Sequence, residues 1–209
     1  MFFILLFYMN LNELETGDIV LVTGQSTGIY QLFLDMIMYG THSNFVHIGI
    51  IIKDPEFTKV PMKGTFFWES GFEGIPDPQD GKIKLGVQMT PIEELINNKD
   101  SHLFVRRFND NSIFLNNEKL KQIHDEAYCK PYDINPRDWL YALFRKDSEP
   151  QKTERFWCSA FVGYVLTKLN LLDKETDWSI LYPSDFALGS EKLIYSSKNN
   201  LMDWMIKLN

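Results

Sequence analysis

The chain has 209 residues, of which 44% are hydrophobic, 14% aromatic and 23% charged, a composition typical of a folded globular protein and not of a disordered one. Its formal net charge is −7 at pH 7 and it has no lysine- or arginine-rich run, which argues against a nucleic-acid-binding surface of the basic kind. Two cysteines, Cys129 and Cys158, are too few for a disulfide framework and favour a reducing environment, with one bridge between them as an alternative.

The chain begins with an apolar segment. Residues 1–9 read MFFILLFYM, which is too short to span a bilayer, and the segment lacks the positive charge and small-residue cleavage site of a secretory signal. Three interpretations stay open: a packed first strand or helix, an interfacial or partner-binding attachment, or a signal. We treat residues 1–13 as an apolar N-terminal segment and residues 14–209 as a single domain, because no repeat or linker divides the chain further.

The first half of the chain is rich in strand patterns. Apolar and β-branched runs predict strands over 19–22, 45–52, 64–70, 82–89 and 103–108. Helical spacing predicts a helix over 28–39 with Gly40 as its C-cap. Thr90 and Pro91 predict the N-cap and first turn of another helix. The glycine- and proline-rich stretch between Ser70 and Lys82 predicts a loop with no element of its own.

The second half is mainly helical. Helices are predicted over 116–129, 136–144 and 158–170, with a polar connection over 145–155. Strands followed by helices around one core predict an α+β domain.

Cys158 is the strongest candidate for chemistry. It opens the apolar helix predicted over 158–170, in the run RFWCSAFVGYVL. The first N–H groups of a helix lack internal partners and the helix dipole favours negative charge, so a thiolate is stabilised at this position. The backbone N–H of Cys158 is also placed to bind an oxyanion. Taken alone, however, a single cysteine on a core helix is more often a small buried hydrophobe.

His47 and Glu69 are the candidate partners of that cysteine. Alternation along the strand 45–52 places His47 on the face opposite the β-branched one. The β-branched face consists of Val46, Ile48, Ile50 and Ile52, and the histidine face also carries Phe45, Gly49 and Ile51. Taken singly, a strand histidine or a strand-end carboxylate is more often structural, so the combination with Cys158 supports the functional interpretation.

A hairpin between the two strands brings His47 and Glu69 together. Pairing Ile52 with Gly64 places the two residues directly opposite, with Cβ atoms about 4.5–5.5 Å apart. A carboxylate there orients the imidazole and stabilises its charged form, as the third member of a catalytic triad does. The prediction depends on register, because a slip of one residue moves Glu69 to the other face.

These segments resemble a known family. The stretches 17–20 (GDIV), 44–50 (NFVHIGI), 68–70 (WES) and 156–161 (FWCSAF) occur in the order seen in circularly permuted NlpC-like, papain-fold proteins. That branch includes bacterial YiiX-like proteins, a poxvirus group and, more distantly, the lecithin:retinol acyltransferases. Two shorter matches, 130–133 (KPYD) and 182–186 (YPSDF), extend the resemblance over most of residues 14–188.

The resemblance implies both a fold and an activity. The fold is a permuted papain-like one of the NlpC type, in which an antiparallel sheet carrying His47 and Glu69 packs against a helix carrying Cys158. The activity is that of a thiol hydrolase or acyltransferase, with Cys158 as nucleophile, His47 as base and acid, and Glu69 orienting His47. An amide, isopeptide, ester or thioester bond would be cleaved through a thioester on Cys158. No cofactor is expected.

Three further residues are weaker candidates for substrate binding: Asp18, His42 and Trp157. Asp18 and Gln25 lie near the segment where a second oxyanion donor would belong, but the sequence does not identify that donor. His42 is close to the strand histidine in sequence, and Trp157 precedes the cysteine, although core packing is the commoner role of such a tryptophan. No residues have zinc-ligand spacing, so no metal is predicted.

The expected partner is a peptide, an isopeptide-linked or an acylated or lipid substrate, and no nucleic acid. Residues 1–9 are a candidate contact with a membrane or a particle. The expected location is intracellular and cytoplasmic, in a host cell or virion if the protein is viral, and not secreted. Two alternatives to an enzyme stay open: a catalytically silent papain-fold module that binds a peptide or acyl chain, and a virion or membrane-associated structural protein.

Overall fold

The computed structural model describes residues 8–24, 43–98, 100–133 and 153–208. They form an α+β fold around a seven-stranded, mostly antiparallel sheet, so the predicted α+β class is confirmed. The sheet strands are β1 (Tyr8–Met9), β2 (Ile19–Gly24), β3 (Phe45–Lys53), β4 (Thr65–Gly71), β7 (Gly86–Pro91), β8 (Ser101–Arg106) and β9 (Ile206–Leu208). Their spatial order is β1-β9-β8-β2-β3-β4-β7, and a separate two-stranded ribbon consists of β5 (Pro76–Asp77) and β6 (Lys82–Ile83).

The described α-helices are α1 (Ile92–Ile96), α2 (Asn117–Ala127) and α3 (Cys158–Lys168). Short 3-10 turns lie at Leu11–Glu13, Ser112–Leu115, Trp178–Ile180 and Pro183–Phe186. The helices predicted over 116–129 and 158–170 are thus confirmed, as are the strands predicted over 19–22, 45–52, 64–70 and 103–108, to within a few residues at their ends.

Both faces of the central sheet are buried, which explains why β2 and β3 read as nearly continuous apolar runs. On one face, Ile48, Ile50 and Ile52 pack in the core that α3 covers. On the other face, Val20 and Ile51 pack in a second core that includes residues of α1. The sheet therefore separates two layers, and a residue's position along β3 decides which layer its side chain enters.

α3 is the central helix of the first core. Residues 158–166, nine of its eleven, are buried. The helix packs on β3 and β4 and against the 3-10 turn at Trp178–Ile180. A Cβ atom on Gly163 would lie 2.7 Å from Cβ of Trp178, so the helix and this turn approach as closely as they do because position 163 has no side chain. This packing fixes where the N-terminus of α3 lies relative to the sheet.

The β3–β4 hairpin is paired two residues away from the predicted register. Asp54 and Gly64 close it through two hydrogen bonds of 2.8 Å, one in each direction. Ile52 consequently pairs with Phe66, and the predicted pairing of Ile52 with Gly64 is wrong. The physical reason is the turn: Asp54 is bonded to Gly64 through its backbone N–H and its carboxylate, so Gly64 lies opposite Asp54 and not opposite Ile52.

An even shift of register keeps side chains on their faces. Glu69 therefore remains on the face of His47, but in this register it lies diagonal to the histidine and not directly across from it. Gly71 takes the place opposite His47 when the β3–β4 pairing is continued along the strands. The predicted proximity survives, since long side chains reach across a diagonal pair.

A β-bulge lies beside His47. Val22 of β2 pairs with His47, but the next residue, Thr23, pairs with Phe45, so Val46 is an extra residue in β3. A bulge re-aims the side chains around it. As a result Phe45 packs against the core on the α3 side, and its predicted placement on the face of His47 is wrong.

Three predictions for residues 71–91 are also wrong. The stretch predicted as a plain loop contains β5, and the strand predicted over 82–89 is divided into β6, which pairs with β5, and β7. Thr90 is not a helix N-cap: β7 continues through Pro91, and Pro91 itself is the N-cap residue of α1. The Thr90 hydroxyl has a different partner, described below.

The described part of the N-terminal segment belongs to the sheet. β1 pairs in parallel with β9, and Met9 is buried in the second core. In the part of the chain that the structure describes, no helix combines the length and apolar character needed to cross a membrane.

Some predictions fall outside the described residues. They are the helices over 28–39 and 136–144, most of the connection 145–155, and the residues Gln25 and His42.

Candidate active site

Cys158 is the first residue of α3, and it is buried. Trp157, the N-cap residue, has extended backbone angles and no side-chain hydrogen bond to the helix. The first intrahelical bond runs from the Phe161 N–H to the Trp157 carbonyl at 3.0 Å. The N-cap side chain thus does not cap the first N–H groups of the helix, and the Cys158 N–H takes its partner from another segment, as described below.

His47 connects Cys158 with Glu69. The imidazole Nε2 contacts Oε2 of Glu69 through a short hydrogen bond, and the Cys158 side chain is a second hydrogen-bond partner of the same imidazole. Because Nε2 is engaged by Glu69, the nitrogen left for Cys158 is Nδ1. The structure therefore brings together the three predicted residues, in the order thiol, imidazole, carboxylate.

The electrostatics of this arrangement favour a charged imidazole. Burial lowers the pKa of His47, but the negative charge of Glu69 and the hydrogen bonds to Cys158 and Glu69 outweigh it, so the pKa of His47 is raised well above its usual value. A protonated His47 beside Cys158 stabilises a thiolate there. The site thus places a charge-favouring imidazole between a cysteine side chain and a buried carboxylate.

Glu69 is held from its other side by Thr90. The carboxylate is fully buried, and the Thr90 hydroxyl donates a hydrogen bond of 2.6 Å to Oε1. Both carboxylate oxygens therefore have a donor, as a buried carboxylate requires. Thr90 was missed by the sequence analysis because its position before proline is typical of a helix start, and no local pattern indicates a contact across the β4–β7 pair.

Gly71 leaves the space that the side chains of His47 and Glu69 occupy. A Cβ atom at this position would lie 2.5 Å from Oε2 of Glu69 and 3.0 Å from Cε1 of His47. The Phe67 ring packs edge-on against the imidazole, with ring centroids 5.6 Å apart. The imidazole thus lies between the backbone of Gly71 and the ring of Phe67, which limits its rotation.

Ser70 links the same strand to the nucleophile's helix. Its hydroxyl donates a hydrogen bond of 2.7 Å to the carbonyl of Phe156, two residues before Cys158. Because successive strand residues face opposite sides of a sheet, Glu69 holds the imidazole on one side while Ser70 anchors the residues that lead into α3 on the other. One dipeptide thereby sets the positions of both reacting groups.

Tyr132 is a further residue at the thiol. Its hydroxyl donates a hydrogen bond to the Cys158 side chain and accepts one from the Cys158 N–H. The backbone on either side supports this position, since the Tyr132 N–H donates to the Leu85 carbonyl at 3.1 Å and residue 132 bridges Phe156. Desolvation and the negative charge of Cys158 raise the pKa of Tyr132 well above its usual value, so the phenol stays protonated and can donate. The sequence signal was the stretch KPYD, which carried no assigned role.

A second glutamate, Glu73, faces the pair formed by His47 and Glu69. Ligand-type atoms of His47, Glu69 and Glu73 all lie within 4.8 Å of one another. Such atoms can bind metals, but the direct hydrogen bond between His47 and Glu69 occupies the atoms that a metal would need. We therefore interpret the group as the hydrogen-bonded pair of His47 and Glu69 with a second carboxylate, Glu73, beside it.

The weaker candidates are placed elsewhere or only beside the site. Asp18 is fully buried at the start of β2, and Arg107 donates to both of its carboxylate oxygens at 2.7 Å. It precedes Val22, the partner of His47, by four residues, or about 13 Å along the strand. The structure thus does not bring Asp18 to the site. Trp157 is half-buried beside Cys158 and packs on the core.

Comparison with protein-family models and with curated proteins finds no match to this chain.

Proposed function

We propose that the protein is a cysteine-dependent hydrolase or acyltransferase that cleaves an amide, isopeptide, ester or thioester bond. The observation that carries the proposal is the imidazole of His47, which is hydrogen-bonded to the Cys158 side chain on one side and to the buried Glu69 carboxylate on the other. A thiol, a base within reach of it and a group that orients the base are the requirements for nucleophilic catalysis.

The reaction follows from the charges of the resting site. The Cys158 thiolate attacks the carbonyl carbon of the substrate, and the carbonyl π electrons move to the oxygen. When the tetrahedral intermediate collapses, the bond to the leaving group breaks and His47 gives its proton to that group. Water or another acceptor, deprotonated by His47, then attacks the thioester and releases the acyl product and the thiolate. Glu69 keeps Nε2 protonated throughout, so Nδ1 is the nitrogen that exchanges the proton.

Two donors at the thiol can turn to the oxyanion. They are the Cys158 N–H at the start of α3 and the Tyr132 hydroxyl, which hydrogen-bond each other in the free site and would both have to exchange that contact for the oxyanion. This assignment gives Tyr132 the second-donor role that the sequence left open.

We also propose that the fold is a permuted papain-like one of the NlpC type. Three features support it: the strand with His47 precedes the helix with Cys158 in the chain, the helix packs on that strand, and the orienting carboxylate lies on the neighbouring strand. In ordinary papain-like enzymes the cysteine comes first.

The proposal is tested by thiol reactivity as a function of pH. Cys129 is exposed and would obscure the measurement, so all proteins carry Cys129→Ser. We expect iodoacetamide to modify Cys158 at pH 6 at a rate close to that at pH 7.5, because the charged His47 holds the thiolate form. His47→Ala removes that charge, and alkylation at pH 6 should then fall at least tenfold, since an ordinary thiol is mostly protonated at that pH.

Mass spectrometry of the modified peptide identifies the labelled residue. A Cys158 that reacts as an ordinary thiol in both proteins contradicts the proposal and favours the alternative of a catalytically silent binding module. The matched control is His102→Ala, because His102 is an exposed strand histidine for which the alkylation profile should not change.

Tyr132→Phe tests the oxyanion donor. The substitution removes one hydroxyl and keeps the ring, so the fold should be retained. We expect kcat to fall by about 10²-fold, the size of effect seen when one oxyanion donor is removed, while alkylation of Cys158 at pH 6 is preserved. A variant with unchanged kcat would assign the hydroxyl a purely structural role.

A further inference from the structure

We propose that Glu73 is a positioning residue of the site: its carboxylate faces His47 and Glu69 and, when ionised, holds the imidazole in its charged form. This role rests on the proposed function, because the charge of His47 matters only if Cys158 is a nucleophile. It goes beyond that function by assigning a second carboxylate that sets the pH range over which the thiolate–imidazolium pair exists.

The geometry places Glu73 where it can act on the dyad. It follows the end of β4 by two residues, just beyond the bare position at Gly71. Oxygen and nitrogen atoms of Glu73, Glu69 and His47 lie within 4.8 Å of one another. Unlike the fully buried Glu69, Glu73 is exposed, so protons can exchange between its carboxyl group and solvent.

The charges around Glu73 make it sensitive near neutral pH. The negative charge of Glu69, followed by desolvation, raises the pKa of Glu73 to about 7, and the positive charge of His47 opposes this rise. Among the described residues, the other titratable groups that face His47 are Glu69 on β4 and Cys158 on α3, with Tyr132 behind the cysteine. The charge of Glu73 therefore changes near pH 7.

The direction of the effect follows from reciprocity. If a charged His47 favours ionised Glu73, ionised Glu73 equally favours charged His47. Below pH 7 Glu73 is largely neutral, and Glu69 alone supports the imidazole. Above pH 7 a second negative charge appears beside the imidazole. The consequence is that the charged pair persists to higher pH than Glu69 alone allows.

The test is an NMR titration of the His47 imidazole, with the signal assigned through His47→Gln and with Cys129→Ser in every protein. In the parent we expect a main transition well above pH 6.5 and a smaller inflection near pH 7, which reports the ionisation of Glu73. In Glu73→Gln the inflection should vanish. The main midpoint should move to lower pH by about one pH unit, the order expected when a charge within about 5 Å is removed from a partly exposed site.

The controls separate this proposal from the proposed function. Glu73→Asp keeps the charge and should retain a transition close to that of the parent, and Glu93→Gln removes an exposed glutamate on α1 and should leave the His47 curve unchanged. A parent curve without the inflection, or a Glu73→Gln curve identical to the parent's, overturns the role of Glu73 while low-pH alkylation of Cys158 leaves the proposed function standing. Ordinary thiol behaviour of Cys158 overturns both.

Discussion

Cys158→Ala is expected to abolish turnover of every substrate that the protein accepts. The thiolate is the atom that forms the covalent intermediate, and no other nucleophile among the described residues shares its contact with His47. Loss of the nucleophile from a catalytic triad lowers kcat by about 10⁶-fold. The measurement is a substrate panel of peptide amides, isopeptides and acyl esters and thioesters of increasing chain length, each with a chromogenic or fluorogenic leaving group.

The matched control for that loss is Cys129→Ala. Cys129 is an exposed cysteine that follows α2, so its removal should leave turnover unchanged. Cys158 is buried, but Cys158→Ala removes only its sulfur atom. Thermal unfolding of Cys158→Ala is therefore expected to occur within a few degrees of the parent. Equal turnover by the parent and Cys158→Ala on all substrates would refute a cysteine-dependent enzyme.

Local apolar patterns account for most of the fold that could be predicted. α3 was predictable because an uninterrupted apolar run of helical length must be buried, and β3 because its β-branched residues recur at every second position. The register of the hairpin was not predictable in the same way. It depends on the Asp54 carboxylate accepting the Gly64 N–H, a turn contact whose presence no hydrophobic pattern indicates.

The residues of the candidate site also fall into those that local patterns identify and those that only contacts between distant segments identify. His47, Glu69 and Cys158 could be identified because each has a chemical type and a local position that indicate a role, and an error of two residues in register leaves His47 and Glu69 on the same face. Thr90 and Tyr132 could not be identified, since their roles depend on contacts with β4 and with the start of α3. The bulge at Val46 was equally unpredictable, although it re-aims the side chains beside His47.

Glu69→Gln is expected to leave the fold intact and to reduce kcat by about 10⁴-fold, the loss seen when the orienting carboxylate of a triad becomes an amide. The physical reason is the proton on the imidazole. The Thr90 hydroxyl, which donates to Oε1, should donate equally to the amide oxygen, leaving the amide NH₂ facing Nε2 of His47. Nε2 then has to accept a hydrogen bond, so the imidazole proton moves to Nδ1 and points at Cys158. An imidazole in that tautomer cannot take the proton of the thiol.

Three readouts distinguish this mechanism from a loss of structure. Thermal unfolding of Glu69→Gln should remain close to that of the parent, because the side chain keeps its size and its bond to Thr90. The ¹⁵N shifts of His47 at neutral pH should change from those of an imidazolium to those of a neutral ring protonated at Nδ1. Alkylation of Cys158 at pH 6 should fall with kcat, since the charge that stabilises the thiolate is lost. If Glu69→Gln instead kept the imidazolium shifts and full turnover, Glu69 would be a buried structural carboxylate and His47 would be held by other contacts.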